Sequence, residues 1–197
     1  PASLSEVTLD WAELDQIKNQ TGRPVLIAAI QNTAIERFKI LMQFAGFGES
    51  PTEIECFSAN RAVAKKQNTA IIDFGASSTK MYLSHDGILN RMHRINTGGS
   101  HITKSFAAEH DLGFEDAENE KIITTIGSQH YEQLHTMHTK QYHRAMHEFK
   151  QVFDHYQRDT GASFDHIKIC GGVSSFPGMA KLASQTFSLE AEVIDPF

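Results

Sequence analysis

Between Thr69 and Ile95 three strands succeed one another with only short turns between them, and this run limits the fold more than any other feature. Thr69 to Phe74 is a mostly apolar strand and Thr79 to Ser84 a second. His85-Asp86-Gly87 then supplies the turn residues of a hairpin into Ile88 to Ile95. Downstream the chain passes to helices and isolated strands. Ser100 can cap a helix through about His110, and Glu115 to Ile126 suggests another. Gln129 to Arg158 is a long polar stretch without Gly or Pro, which predicts one long helix. His166 to Cys170 reads as a short strand, Gly171 to Pro177 as a glycine-rich loop, Gly178 to Phe187 as a helix and Glu192 to Asp195 as a last strand.

The segment before this run reads as a separate unit. Val7, Leu9 and Trp11 alternate with Thr8 and Asp10, the period of a half-buried strand, and Val25 to Ile30 is a second strand after Gly22 and Pro24. Thr33 to Glu36 has the form of a capping box, with Ile35, Phe38, Leu41 and Met42 giving the helix an apolar face that stops at Gly46. Thr52 to Cys56 suggests a further strand and Phe57 to Lys66 a short helix. That helix ends in the polar joint Lys65-Lys66-Gln67-Asn68, which places the boundary between residues 1–67 and 68–197.

Composition removes several classes of function. At 197 residues, 40% hydrophobic and 21% charged, the chain has the make-up of a globular protein able to bury a core. A net charge of −6 without a basic block argues against nucleic acid as a partner. No apolar run approaches the roughly 20 residues of a membrane span, which argues against direct membrane insertion. Pro1-Ala2-Ser3-Leu4-Ser5-Glu6 lacks the pattern of a signal peptide, and without an initiator Met it suggests a fragment or a trimmed start. Cys56 and Cys170 lack metal or redox spacing, so they read as small buried apolar residues in a reducing compartment.

Three loops carry the chemistry. Asp73-Phe74-Gly75-Ala76-Ser77-Ser78-Thr79 puts an aspartate and small residues at a hairpin tip, where backbone amides can approach anionic oxygens and a carboxylate can hold a magnesium-bound water. A plain hairpin turn with an Asx cap explains the same residues. Gly171-Gly172-Val173, ahead of Pro177-Gly178, lets backbone pack against a flat base and ribose near an electropositive helix start, although strand-Gly-Gly-helix turns also occur where layers simply pack closely. Thr97-Gly98-Gly99-Ser100 opens a further helix after the third strand. Five histidines, His130, His135, His138, His143 and His147, fall on the long polar segment. His143 and His147 are one turn apart without a third ligand, so a polar, solvent-facing helix is the simpler reading, with Met137, Met146, Phe149, Val152, Phe153 and Tyr156 as its buried stripe.

The order of these loops resembles the second half of the actin-like ATPase superfamily, and within it the PilM family of type IV pilus assembly proteins. Asp73 to Thr79, Gly98-Gly99, Glu118-Asn119-Glu120-Lys121, Gly171 to Gly178 and the terminal Asp195-Pro196-Phe197 carry the likeness, with Glu6 to Trp11, Val25 to Ile30 and Ala45-Gly46 extending it upstream. The resemblance implies an α/β fold: an actin-like ATPase (ribonuclease H-like) subdomain in 68–197, preceded in 1–67 by part of a smaller inserted, SHS2-like α+β domain. It implies ATP and Mg as ligands. Gly75, Ala76, Ser77, Ser78 and Thr79 would meet the outer phosphates, with Asp73 in the magnesium shell through water. Gly98 and Gly99 would meet the sugar-phosphate region, Glu118 and Lys121 the ribose or base, and Gly171, Gly172 and Val173 the adenosine. Glu118 and Lys121 fit a solvated helix ion pair equally well.

The partners implied are the amino-terminal tail of a PilN-like inner-membrane protein and other pilus assembly proteins, at the cytoplasmic side of the bacterial inner membrane. ATPase activity is expected to be weak or absent. The first phosphate loop of such proteins has no counterpart here, so the chain reads as a carboxyl-terminal portion that is inactive alone and grips nucleotide weakly. Three other kinds of protein on the same fold fit this reading: a type II secretion protein of the GspL kind, an FtsA-like cell-division protein and a small-molecule kinase.

Overall fold

The computed structural model describes residues 3–14, 22–48, 53–63 and 67–194, and the chain divides into two compact units, Pro1–Glu55 and Cys56–Phe197. The first holds an antiparallel hairpin of β1 (Val7–Glu13) and β2 (Val25–Gln31), followed by α1 (Asn32–Phe44). Directly paired residues share a face of the sheet, so Trp11 stands beside Ile27 and Glu13 beside Val25. That face is bare. Trp11 is 64% and Ile27 67% exposed, so the expected half-buried strand forms as a strand but does not bury Leu9 and Trp11. No described residue of this unit is buried, and of the apolar face expected on α1 only Ile35 and Met42 are partly covered.

The expected capping box at Thr33 to Glu36 does not form. The helix starts at Asn32 with Gln31 at the cap, and the Asn32 side chain is engaged outside the helix, donating to the Ser5 carbonyl (3.1 Å) and accepting from the Thr8 hydroxyl (2.8 Å). The far end is as expected: the amides of Ala45 and Gly46 bond back to Leu41 and Gln43 (2.9 and 3.0 Å) as the chain leaves the helix.

The second unit is built on a five-stranded sheet in the order β5-β4-β3-β6-β7. β3 (Thr69–Phe74), β4 (Thr79–His85) and β5 (Ile88–Ile95) are antiparallel neighbours, while β6 (His166–Cys170) runs parallel to β3 and β7 (Glu190–Val193) parallel to β6. Parallel neighbours need long crossovers, which the chain supplies as α3 (Gly99–His110), α4 (Phe114–Ile123) and α5 (Tyr131–Thr160) before β6, and as α6 (Met179–Phe187) before β7. The central strand β3 is covered on both faces, as its run of buried Ala70, Ile71, Ile72 and Phe74 requires.

One face of the sheet meets the main core, where Ile72, Phe74, Met81 and Leu83 pack with residues of α3, α5 and α6. α5 is about 45 Å long at 1.5 Å per residue and turns Leu134, His138, Tyr142, Met146, Phe149 and Phe153 inward at spacings of three and four, with Met137 and Val152 at the margin of the stripe. Gly161, with a left-handed φ of +70°, stops it.

Several boundaries differ from the sequence reading. Where a strand is expected at Thr52 to Cys56, the described residues Glu55 and Cys56 begin α2 (Glu55–Val63), from which Asn60 donates to the Gly87 carbonyl (2.8 Å) and accepts from the Ser84 hydroxyl. Gly98, not Ser100, caps α3, because the Ser100 amide is drawn to the Ala76 carbonyl (2.8 Å). The last strand ends at Val193, and residues 195–197, which carry the Asp-Pro-Phe ending, lie outside the described residues, as do 64–66 of the polar joint. Among the described residues no helix is long and apolar enough to cross a membrane.

Candidate functional site

The loops after β3 and β6 and the start of α3 converge at the carboxyl ends of the two parallel strands, the usual place for a ligand in an α/β sheet. With α4 and α5 they enclose a cavity of about 490 Å³. Of the residues singled out from the sequence, Gly75, Ala76, Gly99, Glu118, Lys121, Gly172 and Val173 line it. Asp73, Ser77, Ser78, Thr79, Gly98 and Gly171 stand behind or beside this lining.

The hairpin tip is closed by its own backbone, with the Gly75 amide donating to the Ser78 carbonyl at 3.0 Å. It is also laced to α3: the Gly99 amide donates to the Gly75 carbonyl (3.1 Å), the Ser100 amide to the Ala76 carbonyl (2.8 Å), and the Thr79 hydroxyl to the Thr97 carbonyl (2.6 Å). Two of the amides that a helix start leaves free are therefore occupied by the loop. A Cβ on Gly98 would overlap the Ala76 carbonyl oxygen and lie 2.6 Å from the Ser77 carbonyl carbon, so Gly98 is what allows the two loops to touch. Ala76 and Ser77 are exposed, and their amides donate to no backbone carbonyl outside the regular elements among the described residues.

Gly171 sits with φ +86° and ψ 163°, a region open essentially to glycine alone, and a Cβ there would lie 2.7 Å from the Phe74 carbonyl carbon and 2.8 Å from Asp73 Oδ1. The contact locks the β6 loop against the end of β3. Asp73 also accepts from the Tyr82 hydroxyl at 3.4 Å. Beyond Gly171 the chain makes a 3-10 turn, Gly172–Ser175, in which the Ser174 amide and hydroxyl both donate to the Gly171 carbonyl (3.0 and 2.7 Å). The helix expected over Gly178 to Phe187 runs from Met179 to Phe187, with Gly178 at its cap. Cys170, just before the loop, is driven up to about 12 by burial and the nearby Asp73 charge, and stays a thiol as expected.

On the opposite wall, Lys121 Nζ donates to Glu118 Oε2 (2.6 Å), the Thr103 hydroxyl (2.8 Å) and the Gly99 carbonyl (3.4 Å). Lys121 is only 9% exposed, so the pair is not the solvated one that the sequence equally allows. Thr103 also donates to Glu118. Burial raises the Glu118 carboxyl, but the bonds from Lys121 and Thr103 and the Lys121 charge outweigh it, and the acid sits below the ordinary carboxylate value. Glu118 and Lys121 thus join α4 to the start of α3 and present one carboxylate edge to the cavity.

The solvent-facing reading of the histidines fails at His138, which is 1% exposed and lines the cavity, whereas His143 and His147 are exposed and stack edge to face at 4.7 Å. The His138 ring stacks on Phe176 at 3.8 Å with an interplanar angle of 7°, and Nδ1 lies 2.7 Å from the Leu134 carbonyl. The spacing carries the signal, since His138 is four residues from both Leu134 and Tyr142 on the buried stripe. Burial, with the Lys121 and His135 charges, lowers its pKa to about 4 against the opposing pull of the Leu134 bond and the Glu118 charge, so the ring is neutral near pH 7. Phe176 and Pro177, within the Gly171 to Gly178 segment, and Ile122, which no motif marks, complete an apolar end of the cavity.

The architecture is that of the actin-like ATPases. MreB5 of Spiroplasma citri bound to AMPPNP superposes with a TM-score of 0.59 at 15% identity, over 83% of this chain and 60% of that one, and the MamK filament protein with 0.56 at 13%, over 84% and 60%. The chain belongs to the family of type IV pilus assembly protein PilM, whose family model matches residues 1–197. A chain of the PilM-PilN type IV pilus biogenesis complex has the same fold, with a TM-score of 0.77 at 20% identity over 98% of this chain. The present chain spans 58% of that protein. No curated protein matches the chain significantly.

Proposed function

We propose that this chain forms one nucleotide-gripping side of a PilM-type assembly protein, which holds ATP with Mg as a structural ligand. In the whole protein it helps to dock the amino-terminal tail of a PilN-like inner-membrane protein at the cytoplasmic face of the inner membrane. The convergence of the three loops and the Glu118–Lys121 pair on one cavity carries the reading. A volume of about 490 Å³ lies within the range of roughly 300–1,000 Å³ typical of small-ligand sites.

The lining divides by chemistry. The amide of Ala76, with that of the adjoining Ser77, suits phosphate oxygens, the carboxylate edge of Glu118 suits ribose hydroxyls, and Gly172 with Phe176 and Pro177 suits a flat base. Among the described residues no three His, Cys, Asp or Glu side chains gather to hold a metal. Magnesium would therefore be held through phosphate oxygens and water, with Asp73 as the adjoining carboxylate, and would supply charge neutralisation to the phosphates. Residues 68–197 would form the nucleotide-binding subdomain and 1–67 part of the inserted domain. The compact units divide earlier, between Glu55 and Cys56, so that most of α2, with buried Cys56 and Asn60, goes with the second unit.

The partner reading rests on family membership and on the PilM-PilN neighbour, and a short tail docked by strand or groove contacts is a common way to recruit a soluble domain. Calorimetry on the whole protein, with Mg-ATP and with a PilN-type amino-terminal peptide, tests both halves. Each is expected to bind the whole protein and to bind the 197-residue chain at least about tenfold more weakly, about 1.4 kcal/mol. A whole protein that binds neither overturns the proposal.

A further inference from the structure

The apolar end of the cavity contains one polar side chain without a complete set of partners. His138 is 99% buried by its 1% exposure, its plane is fixed by the stack on Phe176, and Nδ1 is committed to the Leu134 carbonyl. A carbonyl can only accept, so the proton of the neutral ring resides on Nδ1, and Nε2 is left as a bare acceptor. No hydrogen bond to Nε2 forms among the described residues, although the residue borders the cavity. Nε2 is not among the fully buried side-chain atoms that lack a partner, so it is reached from the cavity, where a bound donor would take the place of water.

Resting on the nucleotide reading above, we propose that His138 Nε2 is the group that selects the base: it accepts a hydrogen bond from the 6-amino group of adenine and rejects purines with a 6-oxo group. The stacked Phe176 holds the imidazole in one plane, so that its lone pair points in a fixed direction. A 6-amino group donates to that lone pair. A 6-oxo group, as in hypoxanthine or guanine, would set two acceptors against each other, with neither able to supply a proton. Buried polar groups discriminate strongly for this reason, because the wrong partner leaves both atoms unpaired. Lys121 cannot do the same work, since an ammonium only donates, and the free carboxylate edge of Glu118 is the one assigned above to the ribose hydroxyls.

The test compares Mg-ATP with Mg-ITP, which differ at the 6-position, on the whole protein. Wild type is expected to prefer ATP by at least about tenfold. His138→Phe, which keeps an aromatic stack but lacks the acceptor, should bring the two affinities within about threefold of each other. His138→Gln, whose amide oxygen can stand in for Nε2, should retain part of the preference. A wild-type protein that binds neither nucleotide overturns the nucleotide reading itself. Equal affinity in wild type, or a preference that survives in His138→Phe, overturns only the role given to His138. Should His138→Phe fail to fold, the 15N resonance of His138 Nε2 in the wild type decides: it should move on adding ATP and not on adding ITP, and an equal response to both overturns the proposal.

Discussion

The cavity has two walls made by different means. The loop wall, running from Gly75 to Gly99 and from Gly171 to Phe176, is backbone held against backbone, and its shape depends on the absence of side chains where Gly98 meets Ala76 and Gly171 meets Phe74. The helix wall is made of single side chains reaching in from α4 and α5: Glu118, Lys121 and His138. A backbone wall is set by local sequence and fails when one atom is added. A side-chain wall is set by how helices pack, and it responds to charge and pH.

The largest expected effect lies in the loop wall. Gly171→Ala forces a non-glycine residue into a conformation that almost only glycine adopts, and drives its Cβ towards the Phe74 carbonyl and the Asp73 carboxylate. Neither obstacle is the movable end of a long side chain. A loss of about 3 kcal/mol or more is expected, read as a fall in the thermal midpoint of the second unit. If the midpoint holds, the β6 loop is not seated on β3, and the distinction between the walls collapses.

Next in size is a pH effect confined to the helix wall. The pKa of His138 is lowered in the fold from 6.5 to about 4. Above pH 6.5 the ring is neutral in both folded and unfolded chains, and it contributes no pH dependence. As pH falls from 6.5 towards 4, the unfolded chain takes up a proton that the folded one refuses, so stability declines by on the order of 3 kcal/mol and then levels. Glu118 acts in the same direction at lower pH: its depressed value gives stability that is present above about 4.5 and lost as pH falls through the folded value. The groups that set the His138 value, besides burial, are the Lys121 and His135 charges against Glu118 and the Leu134 carbonyl. Denaturant titrations at pH 7 and pH 5 should show the loss in wild type and most of it abolished in His138→Gln; an equal loss in both would count against a buried neutral imidazole.

The two walls are not equally legible in the sequence. The loop wall can be read nearly whole, because close backbone approach demands glycine and a strand end demands small residues, and both demands appear as short motifs such as Asp73 to Thr79 and Gly171-Gly172. What the motifs cannot tell is which glycine serves packing and which faces the cavity, since that depends on contacts between segments about 20 to 100 residues apart. In the helix wall Glu118 and Lys121 are marked only through the family likeness, and their spacing equally allows a solvated pair; burial of Lys121 under Gly99 settles it. His138 is hidden by its neighbours, as one of five histidines on a polar segment, although its spacing from Leu134 and Tyr142 puts it inside. The first unit shows the same limit from the other side. β1, β2 and α1 form where expected, yet alternation alone cannot say whether anything covers Leu9 and Trp11.

A smaller effect is expected for Lys121→Met, which keeps the stem and removes the charge. Glu118 and the Gly99 carbonyl each lose a donor, but Glu118 is about a third exposed on the cavity side and water can replace part of the bond. A loss of roughly 1–3 kcal/mol is expected, together with a rise of the Glu118 pKa towards the ordinary carboxylate value, measurable by NMR titration of its side-chain carboxyl. A Glu118 pKa that stays depressed in the variant would shift the cause to Thr103.

The smallest effect on stability, and the sharpest comparison, belongs to Gly172→Ala, next to the glycine with the largest. Gly172 has no atom within 4 Å of an added Cβ and no left-handed φ, so the fold should accept alanine within about 0.5 kcal/mol, and the stiffer unfolded chain offsets part of any loss. Yet Gly172 lines the cavity where Gly171 does not, so the methyl group would stand where the proposed base or sugar would approach. The whole protein carrying Gly172→Ala should therefore unfold like wild type while its affinity for Mg-ATP falls by about tenfold, about 1.4 kcal/mol. Measured side by side, the adjacent glycines should separate folding from binding: Gly171→Ala loses the fold, Gly172→Ala loses the ligand. If Gly172→Ala binds Mg-ATP as tightly as wild type, the ligand does not lie against this loop and the cavity serves another purpose.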